Sequence, residues 1–381
     1  MSQLSDFDSV VLLAHDEKLG PGASGLILSS ISAKPLTLDD WFEYEAGKPV
    51  TVELTGQVAE GSDLSSPGAP QLGTWVTRPL KLNPSIKSDT ICLVEGGWVP
   101  LIYCMTGTNL FLDKNVVAEI KAKFDNGKLK PQKSEKRDFL HLLEERACSS
   151  VLNPLPFALE GNVMGLPDPE TAIEQLHVAK ADLAKALPHI KVYPEGSYGV
   201  EQVCATLASY QDFVAQGMTF LQKVGPLLMA SPGKAKRKDT ISKVIDAAHA
   251  AKLPLQHICV AVSLSALTAS KDFNPAKKVL KAAHNYGPQE AYNAMWDLLL
   301  LEILHLYHTH HRGTRCALLT RDKNLAFMWM GMGLPTVATQ SGEIKQTVMH
   351  ERLMQCDADE MDLLQSLLGA GNFSYRAELH T

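Results

Sequence analysis

Two short apolar runs, far apart in the chain, each stop at a carboxylate. Asn109-Leu-Phe-Leu112 leads directly into Asp113, and Cys316-Ala-Leu-Leu-Thr320 leads through Arg321 to Asp322. Runs of this length without polar alternation fit strands buried on both faces. A buried strand that ends on an acid leaves that acid at the edge of a sheet, where α/β proteins build sites. Two such ends from remote segments point to one shared metal site.

The flanking pattern supports a parallel sheet. Before the second run lies a strong helical pattern from Pro288 to His310, with Pro288 suited to the first turn and Glu290 complementing the N-terminal dipole. Histidines, Arg312 and Gly313 form its stop signal. A helix-like Leu325-Ala-Phe-Met-Trp329 and a short β-rich Leu334-Pro-Thr-Val-Ala338 follow, so helix, strand, helix and strand alternate. Residues 1–90 read as a β-rich accessory region, with strands expected at Val10–Leu13, Gly25–Leu28, Thr51–Leu54 and Thr74–Thr77. Residues 91–345 form the site-bearing α/β domain. It opens with apolar runs at Ile91–Val94 and Trp98–Tyr103, has a helical stretch from Asp138 to Arg146, then a turn and a short helix with Pro156 near its first turn, and is interrupted by a helical insertion at 165–287. A helical tail closes the chain at 346–381.

Composition narrows the class without deciding it. The 381 residues are 45% hydrophobic and 20% charged, as in an ordinary globular protein, and the net charge of -6 argues against a protein coated uniformly by nucleic acid. Seven cysteines are scattered without a CxxC pair and read as reduced thiols. The N-terminus lacks a basic segment followed by an apolar one, and no apolar run spans a bilayer, so a cytoplasmic chain without membrane contact is expected.

The acidic segments resemble a known family. Leu112-Asp113-Lys-Asn115 resembles the D-x-N strand end that opens PIN-domain nucleases, and Thr320-Arg-Asp322 resembles their late T-x-D strand end. Asp297, on the helix directly before that strand, stands where the family carries a third acid, and Glu160 matches its helix-borne glutamate, with Glu144 or Glu145 as rivals for that place. The resemblance covers about 105–162 and 288–340. It implies a PIN-like core, a central parallel sheet flanked by helices, with Asp113, Glu160, Asp297 and Asp322 as catalytic metal ligands for Mg²⁺ or Mn²⁺. Asn115, Thr320 and Asn293 would orient those ligands. The implied activity is phosphodiester hydrolysis, an endoribonuclease acting on RNA rather than DNA. Asn324 stands where the family often has a further acid, and the insertion is longer than in a compact PIN domain.

The chemistry accounts for such a set. Phosphodiester hydrolysis needs charge neutralised on the phosphate and a hydroxide-like water delivered, and hard divalent ions on oxygen ligands do both. Two basic stretches offer phosphate contacts: Lys121, Lys123, Lys128 and Lys130, with Lys133, Lys136 and Arg137 beyond them, and Lys236, Arg237 and Lys238 in the insertion. Solvated loops are the plain alternative for both. His305, His308, His310 and His311 read as complements to a helix C-terminus rather than a zinc motif. A phosphatase reading of Asp113 fails for lack of a second Asp in D-x-D. The competing functional class is a PIN-like scaffold that binds nucleic acid without turnover, and a homo-oligomer or an inhibitory protein partner fits either class.

Overall fold

The computed structural model describes residues 9–13, 25–62, 64, 69–84, 89–131, 138–144, 149–161, 164–193, 196–230, 232–311, 313–333, 347–368 and 373–376. The first part of the chain forms β1 (Ser9–Leu13), β2 (Gly25–Ala33), α1 (Leu38–Glu45), β3 (Val50–Val58) and β4 (Trp75–Leu82). Then come β5 (Ile91–Val94), β6 (Gly97–Val99), β7 (Asn109–Leu112), α2 (Lys114–Lys123), and the two-stranded β8 (Phe124–Asp125) and β9 (Lys128–Leu129). β10 (Val151–Asn153), α3 (Leu155–Glu160), α4 (Pro169–Ala186) and β11 (Lys191–Val192) follow, and then the helices α5 (Gly196–Met229), α6 (Lys234–Ala250), α7 (Ile258–Thr268), α8 (Pro275–Val279) and α9 (Pro288–His310). The chain closes with β12 (Cys316–Thr320), α10 (Lys323–Gly331), β13 (Met332–Gly333), β14 (Thr347–His350), α11 (Ala358–Leu368) and β15 (Phe373–Arg376).

The four N-terminal strands pair antiparallel in the order β1-β2-β3-β4. β3 alternates buried and exposed residues, turning Val50, Val52 and Leu54 inward. All four expected strands are present, but α1 is an addition. Its start is fixed by Thr37, which accepts from the Asp40 amide while the Asp40 carboxylate accepts from the Thr37 amide. Leu36 bridges to Trp98 of β6, and a Cβ on Gly97 would stand 2.1 Å from the Leu36 carbonyl oxygen, so only glycine permits this approach.

The second sheet is mixed, in the order β11-β10-β7-β12-β5-β6. β11, β10, β7 and β12 run parallel, while β5 is antiparallel to β12 and β6 to β5. Successive residues of the two central strands face opposite layers. Leu110, Leu112, Ala317 and Leu319 join a core with Val116, Val117, Ile120 and Leu183. Phe111, Cys316 and Leu318 join a larger core that also takes Trp41, Val52, Phe220, Val244, Leu264, Trp296 and Leu364. The N-terminal region, the segment at 165–287 and the tail therefore share one interior. All eleven residues of α7 are buried, as expected for a helix apolar on every side.

Several local expectations change. Residues 139–144 form a 3₁₀ helix rather than an α-helix. The Lys-rich stretch is the end of α2 plus the β8–β9 pair, with 132–137 outside the described residues. The strand expected at 334–338 also lies outside them. The tail is not purely helical: β14 and β15 join β13 in a three-stranded sheet. Among the described residues no disulfide forms and six cysteines are free, Cys148 lying outside them. No described helix is long and apolar enough to cross a membrane.

Candidate metal centre at the ends of two parallel strands

From β7 the chain passes through α2 to β10 on one side, and β12 later returns on the other side of β7. The strand order reverses there, and the crevice beyond the carboxyl ends of β7 and β12 is where open α/β sheets place ligands. Asp113 and Asp322 stand at this crevice, each at the N-cap position of the following helix.

The two acids are held differently. Asp322 Oδ1 accepts from the Asn324 and Leu325 amides, an ordinary cap. Its Oδ2 takes no hydrogen bond among the described residues. Asp113, only 7% exposed, makes no such cap. Its Oδ2 accepts from Thr320 Oγ1 at 2.6 Å and from Asn115 Nδ2 at 2.8 Å. Thr320 Oγ1 in turn accepts from the Asp322 amide at 3.0 Å, and Asn115 Oδ1 accepts from the Arg321 amide at 3.0 Å. Thr320 and Asn115 thus tie both strand ends together around one carboxylate.

Asp297 and Glu160 are carried by two helices, α9 and α3, within electrostatic reach of Asp113. Burial pushes the Asp297 carboxyl up to about 7, opposed by Lys281 and reinforced by the charges of Asp322 and Asp113. Burial also raises Glu160, with Lys114 opposing and Asp113 adding to the rise. Asp113 itself is raised by burial against the pull of Thr320 and Asn115, and Asp322 raises it further. Asp113 is thus felt by both Asp297 and Glu160, and Asp322 is felt by Asp113 and Asp297, although the four come from separate elements.

Two lysines were missed in the sequence. Lys114 Nζ lies 3.2 Å from Glu160 Oε1, and Lys281 Nζ lies 2.8 Å from Asp297 Oδ2. Lys114 had a signal, its place beside Asp113. Lys281 had none, because α8 of the insertion delivers it, with its backbone at φ 53° in the left-handed region. Glu119, paired with Lys123 and Arg321, adds a further acid near the β12 end. With Glu160 and Asp297 drawn to lysines, no three described His, Cys, Asp or Glu side chains are close enough to hold a metal ion together. The donor set still suits a hard divalent cation, which prefers carboxylate oxygens and would relieve the repulsion that burial has concentrated here.

Other expected residues fare variously. Asn293 accepts from Gln289 on its own helix, a partner other than the four acids. Most of the basic candidates have acidic partners within the chain: Lys121 with Asp182, Lys123 with Asp138, Arg237 with Glu360 and Lys238 with Asp359. Lys130 Nζ donates to the Lys121 and Ala122 carbonyls. Lys128 and Lys236 are exposed. The histidines do end α9, with His308 against Cys316 Sγ and His310 and His311 exposed. No family model, curated protein or solved structure matches the chain.

Proposed function

We propose that the chain is a divalent-metal-dependent nuclease with a PIN-like core, acting as an endoribonuclease. The observation that carries this reading is the Thr320–Asp113–Asn115 clamp. It joins neighbouring parallel strand ends around a buried acid, with Asp297, Asp322 and Glu160 in electrostatic reach. Such convergence of buried carboxylates at a switch point is costly unless a cation answers their charge. Asp113, Asp322 and Asp297, with Glu160, would hold Mg²⁺ or Mn²⁺. The ion would supply charge neutralisation on the phosphate and an activated water.

The remaining roles belong to the chain's own groups. Thr320 and Asn115 keep Asp113 in one rotamer, so that its geometry does not depend on what binds. Lys114 and Lys281 now pair with Glu160 and Asp297, and a bound cation would free both for a phosphate. Exposed Lys128 and Lys236 offer sequence-independent phosphate contacts, which weaken as salt rises. The preference for RNA rests on the family resemblance alone.

A scaffold that binds nucleic acid without turnover is the second reading, favoured by the existing Lys114–Glu160 and Lys281–Asp297 pairs. The test incubates labelled single-stranded RNA and DNA with Mg²⁺ or Mn²⁺, beside Asp113→Asn and Asp322→Asn. Metal-dependent RNA cleavage, lost in both folded variants, is the expected result. Equal cleavage by wild type and variants would assign the activity elsewhere. No cleavage, together with no Mn²⁺-induced rise in melting temperature, would favour the scaffold.

A further inference from the structure

A second cavity lies against the start of β7, on the face of the sheet turned to the larger core. Its volume is about 280 Å³, at the small end of ligand pockets, and Asn109, Phe111, Asn153, Tyr210 and Tyr307 line it. Asn153 Oδ1 accepts from the Leu155 amide at 3.0 Å, which fixes the orientation of the carboxamide. Its Nδ2 is buried and has no partner, and Asn153 is only 1% exposed. Asn109 Oδ1 is likewise buried without a donor, while its Nδ2 reaches the Tyr307 hydroxyl at 3.4 Å. One orphaned donor and one orphaned acceptor in a single cavity are costly, about 1–3 kcal/mol each, unless something answers them.

The register places these two groups relative to each other. Asn153 pairs with Phe111 across β10 and β7, and Asn109 is two residues before Phe111, so all three side chains share a face. A strand spacing of about 4.8 Å and a two-residue rise of about 6.6 Å put the two asparagine Cα atoms roughly 8 Å apart. A ring carrying adjacent carbonyl and N–H groups offers an acceptor to Asn153 Nδ2 and a donor to Asn109 Oδ1. Aromatic walls are available, since Phe111 meets Tyr307 edge-on with centroids 5.1 Å apart. The mouth carries the exposed Ser209, His310 and His311, and His310 ends α9. The negative end of a helix dipole disfavours a phosphate there.

We propose that this cavity binds an uncharged lactam-bearing nucleobase or its nucleoside, held between Asn153 and Asn109. The inference does not rest on the nuclease reading: Asn109 begins the strand whose far end carries Asp113.

Calorimetric titration of the full-length protein with uracil and uridine tests it, with N3-methyluracil as the ligand whose N–H is blocked. Ser209→Trp fills the mouth from an exposed position. Asn153→Asp keeps the acceptor for the Leu155 amide and replaces the buried donor with an acceptor. Saturable binding of uracil and uridine is expected, weakened at least about tenfold by the N3-methyl group and by Asn153→Asp, and lost in Ser209→Trp. Binding should persist in Asp113→Asn, which separates this site from the metal centre. No saturable binding up to about 10 mM would overturn the proposal. So would equal binding of uracil and N3-methyluracil by the wild-type protein, or unchanged binding by Ser209→Trp.

Discussion

At the scale of single residues, Thr320 has the most to account for. It is fully buried, donates to Asp113 and accepts from the Asp322 amide. Valine has nearly the same shape but neither bond. Thr320→Val therefore leaves a buried carboxylate oxygen short of a donor and a backbone amide short of an acceptor. A loss of roughly 2–4 kcal/mol in urea denaturation is expected, the combined cost of two orphaned groups. Thr320→Ser, which keeps the hydroxyl, should lose far less, the methyl being worth about 1 kcal/mol. If valine and serine cost the same, packing rather than the clamp makes Thr320 important. Asp113 and Asp322 were legible because one follows an apolar run directly and the other follows one after Arg321, so each position at a strand end was set by local chain direction. Lys281 was not, because no local pattern says which turn of a helical segment meets a distant acid.

Among the elements, the long helical segment at 165–287 proves to be part of the site's support. A Cβ on Gly225 of α5 would stand 2.4 Å from the Tyr286 ring, so the helix admits that ring only through glycine. The Tyr286 hydroxyl donates to the Leu280 carbonyl, and the next residue is Lys281, the partner of Asp297. Gly225→Ala should gain about 1 kcal/mol of helix propensity but displace a rigid ring, at a cost of about 1–3 kcal/mol. A net fall in stability is expected, along with a changed Asp297 environment. Raised melting temperature in the alanine variant would show that the ring has room to move. The segment holding α4, α5 and α6 was readable as helical from its apolar spacing, and α9 begins and ends where Pro288 and His310 predict. α1 was missed since its capping box uses Asp40 in place of the usual Glu or Gln, inside a region whose neighbours on both sides read as short strands and turns. The strands of the tail escaped notice because they complete a sheet with β13, a pairing that sequence-local patterns do not carry.

Taken as a whole, the molecule buries ionisable groups in its shared interior, and this shapes its response to pH. Burial pushes Glu302 of α9 up to about 7, and Asp297 on the same helix up to about 7 as well. A carboxyl raised in the folded state contributes stability that is present below its ordinary value and lost as pH rises through the folded one. For Glu302 that window runs from 4.5 to about 7. His257 acts in the opposite sense, since burial lowers it to about 4. Its Nδ1 accepts from the Cys259 amide at the start of α7, and its Nε2 has no partner, so protonation adds an unanswered buried charge. Its contribution is complete above 6.5 and disappears as pH falls towards 4. Between 4.5 and 6.5 the Glu302 and His257 trends offset each other while Asp297 adds a fall. Above 6.5 only the carboxyl trends remain, so the protein without added metal should lose stability as pH rises past about 6.5. Glu302→Gln keeps the shape and removes the charge. It should raise stability at pH 8 by about 2 kcal/mol and give no gain at pH 4. Some slope above pH 6 must survive in this variant, because Asp297 still titrates there. Urea denaturation of wild type and variant at pH 4, 6 and 8 reads all three expectations. An equal gain at every pH would mean that glutamine packs better than glutamate, and that the charge on Glu302 is not what strains the interior.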